Sequence, residues 1–265
     1  MTIKSDTKVS HHSVGNQRIE ETYGNDYLKW KGWEQGSEFG KLKKTDSAYF
    51  AAEINRAKRK LPAKSKVLEI GFGNGAFLQF SRANNWDVCG IEINEDLVRV
   101  ARGCGYDATH TDNLSGFNDG TFDLVVAFDV LEHIPQDLLS NVIGEVKRIL
   151  KMEGVFIARF PNGDSPFGLK NQNGDLTHVT TIGSGKVYYL AAKCDMEVIY
   201  VGGEAQPLFG TSLLHFVHSV IALPIKKALS LLTNFIFFPR SNVAFFSPNL
   251  TIIYKKTRSV PASSD

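Results

Sequence analysis

A carboxylate followed by three closely spaced glycines is the part of the sequence that points most directly to chemistry. In the segment VLEIGFGNGAF, Glu69 is followed by Gly71, Gly73 and Gly75. Glycines permit a sharp backbone turn and let a ligand approach closely, because no Cβ is in the way. The helix that follows would offer unpaired N–H groups and a partial positive charge to an anion. The pattern therefore predicts a turn that holds a nucleotide-like ligand carrying a carboxylate or a phosphate.

Acidic residues along the chain separate two ligands for this turn. The glycines and Ala76 also fit the dinucleotide-binding pattern, in which an acid about twenty residues later binds a ribose, and Glu92 stands there. A dinucleotide would place its pyrophosphate at the turn, however, where Glu69 would repel it. An ammonium group would be attracted instead, Glu92 could accept two ribose hydroxyls, and Asp112 could accept from an adenine amino group. These groups together are parts of S-adenosylmethionine.

A sheet must position these residues, since they follow stretches of β-forming residues. Apolar strand patterns alternate with helical spacing from about 66 to 201, and 122–128 is almost continuously apolar, as in a strand buried on both faces. The alternation predicts a doubly wound α/β sheet, in which ligands bind at the carboxyl ends of the strands. Asn94 is predicted to cap the second helix. The predicted strands are 67–70, 87–93, 107–110, 122–128, 154–160, 197–201 and 249–255, and the predicted helices are 76–83, 95–102, 136–150 and 184–193.

Composition and charge limit the classes of protein. The 265 residues suffice for one large domain with an insertion, and 43% hydrophobic with 22% charged residues is typical of a soluble globular protein. A net charge of +2 does not favour a nucleic-acid partner. The N-terminus lacks an apolar signal-type segment, and the three cysteines have no metal or redox spacing. We therefore expect a cytoplasmic protein with reduced thiols.

Besides the two chain ends, two segments lie outside the predicted core of 63–203. Residues 1–20 are polar and are predicted to be flexible, as is the tail 257–265. Residues 21–62 predict a helical N-terminal cap with an aromatic face, which either packs on the core or forms a lid over a substrate cleft.

The second outlying segment, 204–248, is unusually apolar and precedes the last predicted strand at 249–256. Its two apolar runs, 208–223 and 228–238, are separated by a proline and two lysines, and each is too short to span a bilayer. Apolar helices beside Lys and Arg are typical of segments lying at a membrane interface. The alternatives are a flap over the substrate pocket and a dimer interface. An enzyme peripheral to the inner face of the membrane is thus one expectation.

Four segments in order resemble the class I S-adenosylmethionine-dependent methyltransferases over about 64–202. The resemblance implies a seven-stranded, mostly parallel sheet ending in an antiparallel hairpin, with 204–248 inserted before its last strand. Glu69, the three glycines and Glu92 belong to the cofactor-binding motifs of that family, and the resemblance adds further residues to them. Gly-Ile-Glu-Ile matches the second motif, Thr-Asp-Asn-Leu matches the segment that contacts adenine, and FDLVVAFDVLEHI matches the motif of the fourth strand. The residues implied are Ile93, Asp112, Asn113, Leu114, Phe128 and Asp129.

A narrower resemblance concerns the acceptor. The segments PNGDSPFG at 161–168, GDLTHVT at 174–180 and SPNL at 247–250 are similar to methyltransferases of bacterial surface-polysaccharide and O-antigen biosynthesis. This implies a sugar, glycan or glycolipid precursor as the acceptor. The apolar insertion would then hold the enzyme near a lipid-linked substrate.

Methyl transfer to a hydroxyl benefits from a base that accepts its proton. His178, in the loop after the predicted fifth strand, is the first candidate and His133 the second. Asp129 is expected to orient cofactor or substrate. No metal site is predicted, since no group of His, Asp and Glu has ligand spacing along the sequence.

Taken together, the cofactor-binding residues and these resemblances imply a methyltransferase that O-methylates a sugar or glycolipid precursor. One alternative keeps the chemistry with a quinone-like or other apolar small molecule as acceptor. Another is an NAD-dependent oxidoreductase, and a third is a non-catalytic cofactor-binding subunit.

Overall fold

The computed structural model describes residues 24–33, 39–58, 60–207, 213–239 and 243–258. Among them, seven strands form one sheet in the order β3-β2-β1-β4-β5-β7-β6. The pairs within β1 to β5 are parallel, whereas β7 is antiparallel to both β5 and β6. The predicted fold class is therefore confirmed, including the closing hairpin. The strands are β1 (Lys66–Ile70), β2 (Asp87–Glu92), β3 (Asp107–His110), β4 (Phe122–Phe128), β5 (Leu150–Pro161), β6 (Glu197–Gly203) and β7 (Asn249–Lys255).

Helices cover both faces of the sheet and its carboxyl edge. Asn94 caps α4 as predicted, because its side-chain oxygen accepts from the N–H of Leu97 at 3.0 Å. A short 3-10 turn, Leu131–His133, follows β4. The α-helices are α1 (Asn25–Lys31), α2 (Lys44–Arg56), α3 (Ala76–Ala83), α4 (Glu95–Gly103), α5 (Leu139–Ile149), α6 (Leu169–Asn173), α7 (Ser184–Lys193) and α8 (Leu213–Phe237).

The core lies on both sides of the central strands, which explains their almost continuous apolar sequence. Val125 and Val126 of β4 are both fully buried, although they point to opposite faces. One face packs against α5 and α7, and the other against α2 and α3, where Phe50 and Phe77 meet edge to face at 5.1 Å between ring centres. The aromatic cap residue Phe50 therefore belongs to the core of the domain.

The first residues of α5 and β5 differ from the sequence prediction. Helix α5 begins at Leu139 rather than at 136, because Pro135 starts a turn in which its carbonyl accepts from the N–H of Leu138 at 2.9 Å. Strand β5 begins at Leu150 rather than at 154, and its pairing with β4 shifts register where Glu153 has φ +63°. An irregular strand start of this kind breaks the alternation on which the prediction depended.

The two predicted apolar runs of the insertion form a single helix, so their separation was wrong. Helix α8 has 25 residues and passes through Pro224. A proline removes one helical hydrogen bond and commonly kinks a helix, but it does not have to end it. By length and composition alone, the window Val220–Phe237 could cross a membrane. The predictions for 1–20 lie outside the described residues, as do those for 208–212, 240–242 and 259–265.

The insertion leaves and rejoins the sheet at the edge where the parallel strands end. Gly203 at the end of β6 pairs with Leu250, and Pro161 at the end of β5 pairs with Asn249. The side chain of Asn162 donates to the carbonyls of Ala244 at 2.8 Å and Ser247 at 3.0 Å. Both ends of the insertion are therefore held beside the carboxyl end of β5.

Candidate active site

A cavity of about 810 Å³ lies at the carboxyl edge of the sheet, between the glycine turn and the N-terminal cap. Most residues predicted from the sequence line it, but Gly75 and His178 do not. Cap side chains lie on the opposite wall, with Tyr27, Trp33 and Tyr49 among them. The predicted residues that line the cavity are Glu69, Gly71, Gly73, Glu92, Ile93, Asp112, Asn113, Leu114, Phe128, Asp129 and His133.

All three glycines of the turn have left-handed backbone angles, with φ of +65° at Gly71, +49° at Gly73 and +74° at Gly75. A Cβ at Gly73 would come within 2.8 Å of the ring of Trp33, and a Cβ at Gly75 within 2.5 Å of that of Phe39. The sequence predicted that a ligand would approach these glycines closely, but aromatic rings of the cap occupy part of that space. Cap and turn fit together only because Cβ atoms are absent.

We expect Gly75→Ala to lower the free energy of unfolding by about 2 kcal/mol or more, because backbone strain and a clash with Phe39 add together. Gly105→Ala is a matched control, since Gly105 has φ +73° but nothing within 4 Å of its Cβ position. Thermal and denaturant unfolding of both variants separates the two contributions. Equal losses in both variants would show that Phe39 does not press on the turn.

Glu69 lies beneath the turn and is only 4% exposed. Its Oε2 has no hydrogen-bond partner within the described residues. Burial, reinforced by the charge of Glu92, raises the pKa of Glu69 well above its usual value. A buried carboxyl group with an unused acceptor in a cavity wall fits a ligand that brings N–H donors or positive charge. The ammonium group of S-adenosylmethionine meets that requirement.

Glu92 ends β2 and is held by backbone amides on both carboxylate oxygens. Its Oε1 accepts from the N–H of Ile93 at 2.8 Å and Asn94 at 3.1 Å, and its Oε2 accepts from Gly73 at 3.1 Å. Burial raises the pKa of Glu92, and these three hydrogen bonds oppose the rise. Since every partner is a donor, the arrangement favours the ionised carboxylate, whose remaining lone pairs suit a ribose diol.

The segment after β3 forms a more open part of the same wall. Asp112 is exposed, and its Oδ1 accepts from the side-chain amide of Asn113 at 3.1 Å. Leu114 is 5% exposed and belongs to the main core. An acid at the rim and an apolar side chain behind it can receive the amino group and the ring of adenine.

Asp129, just after β4, has φ +58° and forms an ion pair with Arg159 of β5. The Arg159 Nε donates to Asp129 Oδ1 at 2.9 Å, and its guanidinium lies 4.9 Å from the ring centre of Tyr49. Arg159 and Tyr49 both line the cavity. Tyr49 belongs to the aromatic cap for which a lid was one expectation, whereas sequence reasoning missed Arg159. An arginine inside the apolar strand GVFIARF was the available signal, because such a residue needs a buried partner.

Of the two candidate bases, His133 lines the cavity, whereas His178 lies behind it. The two rings meet edge to face, with 4.6 Å between their centres. The His178 Nε2 lies 3.7 Å from Asp175 Oδ2 and 3.8 Å from Glu132 Oε1. His133 is therefore the histidine placed to reach a bound acceptor. His178 contacts the His133 ring on the side away from the cavity.

Hydrogen bonds assign the tautomer of His133. Thr177 Oγ1 donates its single proton to Asp175 Oδ1 at 2.5 Å, so it can only accept from His133 Nδ1 at 2.9 Å. The carbonyl of Thr177, 3.3 Å from the same nitrogen, is also an acceptor. The Nδ1 atom must therefore carry the proton, which puts the lone pair of the neutral ring on Nε2.

Burial and, next, the neighbouring His178 lower the pKa of His133 to about 4, against a smaller opposite effect of Asp175. Lys31 of the cap also lowers it, while forming an ion pair with Asp175 at 3.1 Å. The ring is consequently neutral at physiological pH, as a base must be.

The linear spacing hid a possible ligand cluster. Glu132, His133 and His178 bring one ligand atom each within 4.8 Å of one another, although 45 residues separate the two histidines. Both carboxylate oxygens of Glu132 lack a hydrogen-bond partner within the described residues, and burial raises the pKa of Glu132 well above its usual value. Spacing along the sequence therefore gave no sign of this convergence, and the absence of a metal site stays a prediction.

Comparison with known proteins identifies the family. The model of a methyltransferase domain family matches residues 42–190, which is more than half of the chain. The chain therefore belongs to this family, and its prediction as a class I S-adenosylmethionine-dependent methyltransferase is confirmed. The NAD-dependent alternative does not fit this result.

Individual relatives agree at the level of family and fold. The chain is 26% identical over 135 residues to a ubiquinone biosynthesis O-methyltransferase of Thiobacillus denitrificans, covering 48% of this chain and 56% of that protein. It is 27% identical over 168 residues to the Hahella chejuensis protein of the same name, covering 60% and 65%. A solved SAM-dependent methyltransferase from Archaeoglobus fulgidus superposes with a TM-score of 0.55 at 19% identity, covering 93% of this chain and all of that one. The matched regions thus span less than two thirds of the curated relatives.

Proposed function

We propose that this protein transfers a methyl group from S-adenosylmethionine to a hydroxyl of an apolar, aromatic acceptor of the quinone-precursor type. The observation that carries this proposal is the wall beyond His133, which is mostly apolar. Several O-methyltransferases of ubiquinone biosynthesis among the curated relatives support the same acceptor class. The apolar side chains in this wall are Val130, Ile134, Pro135, Leu138 and Val142.

A sugar or glycolipid acceptor, the leading interpretation of the sequence, is the second candidate. Asn141 and Glu145 of α5 also line the cavity and could hydrogen-bond to hydroxyl groups. Glu145 is already bound by Arg148 through its side chain, however, at 2.8 Å. The relatives and the apolar wall together favour the quinone-type acceptor over the glycan.

The proposed reaction needs an electrophilic methyl group, which the sulfonium of the cofactor supplies. Held at the turn by Glu69 and Glu92, the cofactor would supply this methyl group to the acceptor oxygen as its carbon–sulfur bond breaks, and a neutral thioether would remain. The hydroxyl proton passes to His133 Nε2. The protein contributes mainly by holding the two reactants in line, and the base adds roughly 10²–10⁴-fold.

Methyl incorporation tests the acceptor class. Purified protein and labelled S-adenosylmethionine are incubated with a prenylated catechol and, in parallel, with lipid-linked sugar from a cell extract. We expect incorporation into the catechol. Transfer only into the sugar would contradict the acceptor class, and no transfer to any fraction, with cofactor binding intact, would favour a non-catalytic subunit.

The lowered pKa of His133 predicts an unusual pH profile. Because the pKa of about 4 is that of His133 in the free protein, kcat/KM should stay flat from pH 8 to about pH 5 and fall only below that. A solvent-exposed histidine would instead lose activity below about pH 6.5. A steady-state pH series over that range checks the prediction, and an acid limb near pH 6.5 would remove His133 as the base.

A further inference from the structure

Helix α8 presents a continuous apolar stripe to the outside of the fold. The stripe repeats every three or four residues, the spacing that places side chains on one helical face. Within the described part of this helix, none of the window Val220–Phe237 is buried, and its mean hydropathy is 1.5. A core helix of similar composition would be mostly buried. The members of this α8 stripe, each 44% to 61% exposed, are Ile221, Ile225, Leu229, Leu232 and Ile236.

The charges of α8 suit an anionic surface. Its sequence, LLHFVHSVIALPIKKALSLLTNFIF, contains Lys226 and Lys227 but no Asp or Glu. At about 100° per residue, Lys227 points nearly opposite the stripe and Lys226 lies to one side of it. Long lysine side chains placed in this way can reach lipid headgroups while the stripe enters the acyl region. This complementarity of charge favours an anionic lipid surface as the occupant.

The same two lysines indicate that α8 lies in the membrane plane rather than across it. A spanning helix would carry them near its middle, where each costs about 2.5–3.5 kcal/mol. Both ends of the insertion also return to one edge of the sheet, where Gly203 pairs with Leu250. The chain would then have to recross the hydrocarbon before β7, although its described residues 238–239 and 243–248 lie in no helix or strand, which leaves backbone groups unsatisfied.

The first residue of the insertion, Glu204, contacts the wall of the cavity. Glu204 Oε2 lies 3.8 Å from Arg159 Nη1, and Arg159 lines the cavity. Asn249 donates to the same Glu204 oxygen at 3.0 Å. A bilayer that holds α8 therefore also holds the carboxyl edge of the sheet, where the cavity lies.

We propose that the α8 stripe docks in the plane of an anionic bilayer and keeps the cavity at the surface from which it takes its acceptor. The inference that α8 docks on a bilayer depends only on the exposed side chains of this helix. The delivery of acceptor rests on the proposed function, because only an apolar acceptor would be dissolved in the bilayer. This arrangement corresponds to the peripheral location at the inner face of the membrane that the sequence suggested.

Vesicle flotation tests the docking. The full chain is mixed with phosphatidylcholine vesicles, with and without phosphatidylglycerol. We expect it to float with the anionic vesicles, less with neutral ones and less at high salt. The variant Ile225→Ser/Leu229→Ser/Leu232→Ser should stay at the bottom, whereas Tyr188→Ser/Tyr189→Ser, which changes two exposed side chains of α7, should float like the parent.

A second variant and a second readout separate docking from folding and from self-association. Lys226→Glu/Lys227→Glu leaves the stripe intact and should abolish the preference for anionic vesicles. Light scattering reports the oligomeric state of each protein. Failure of the parent chain to float, with or without a dimer that the serine variant dissociates, would overturn the proposal. These readouts need no turnover, so they remain decisive if the acceptor is a different molecule.

Discussion

Replacing His133 with Gln is expected to lower kcat by roughly 10²–10⁴-fold and to leave the affinity for the cofactor nearly unchanged. The ring lines the cavity, is neutral because its pKa is about 4, and carries its lone pair on Nε2. Glutamine can still hydrogen-bond to Thr177 but cannot accept the proton. Single-turnover rates, together with calorimetric titration of S-adenosylhomocysteine, separate the loss of a base from the loss of the site.

His178→Gln provides the matching comparison, because His178 was the stronger candidate from the sequence. Its side chain does not line the cavity but contacts the His133 ring. We expect a fall in kcat of less than about 10-fold, since the base itself remains. The reverse order, with His178→Gln far more damaging than His133→Gln, would assign the proton transfer to His178.

The tautomer of His133 gives Thr177 a positioning role, because the Thr177 hydroxyl accepts from the His133 Nδ1–H. Removing that hydroxyl removes the hydrogen bond. Thr177→Val should reduce kcat without raising the KM for the acceptor, because the ring then turns more freely. Thr177→Ser keeps the hydroxyl between Asp175 and His133 and should restore the rate. A purely structural role would instead make Ser and Val similarly damaging, with a lowered Tm in both.

The elements that hold the cofactor side of the site could be predicted because their signals are local. Glu69 and the glycines occupy one turn, and Glu92 and Asp112 each follow their own strand. Only a few neighbouring residues are needed to recognise a strand pattern, a glycine triplet or a helix N-cap residue such as Asn94. Parallel pairing then brings the strand ends together without further information from the sequence.

The acceptor side could not be predicted, because its contacts join distant segments. The bond between His133 and Thr177 spans 44 residues, and that between Asp129 and Arg159 spans 30. Which histidine reaches the cavity is decided by how the loop 174–183 packs on the 3-10 turn, and spacing carries no sign of it. Helix α8 was divided because Pro224 is a strong local helix breaker, whereas the structure continues the helix through it.

Changing Glu92 to Gln should weaken binding of the cofactor by about 5- to 150-fold, through the geometry of its hydrogen bonds rather than through charge alone. Both oxygens of Glu92 accept from backbone N–H groups, those of Gly73, Ile93 and Asn94. An amide replaces one of these acceptors by an NH2 group, so a donor must face a donor in either orientation. That clash destabilises the turn with or without the cofactor, whereas the affinity falls because an NH2 group cannot accept from a ribose hydroxyl. A donor left unsatisfied in the complex costs about 1–3 kcal/mol, which corresponds to that range of affinity.

Glu95→Gln is the matched control, because Glu95 lies three residues away and is exposed. It removes the same formal charge from the same region without touching the amides, and we expect its cofactor affinity to stay within about 2-fold of the parent. Calorimetry with S-adenosylhomocysteine measures both variants, and thermal unfolding without ligand shows whether the turn has survived. Equal losses in the two variants would reduce the effect of Glu92 to long-range electrostatics.

A cofactor analogue that lacks the ribose 2′-hydroxyl tests the contact itself. If Glu92 binds the ribose diol, the parent should lose affinity for the analogue, while Glu92→Gln, already deprived of the contact, should lose much less. Such non-additivity is expected only for groups that interact directly. Independent losses would mean that Glu92 shapes the glycine turn through Gly73 without binding the ribose, and the diol would then need a different partner on the cavity wall.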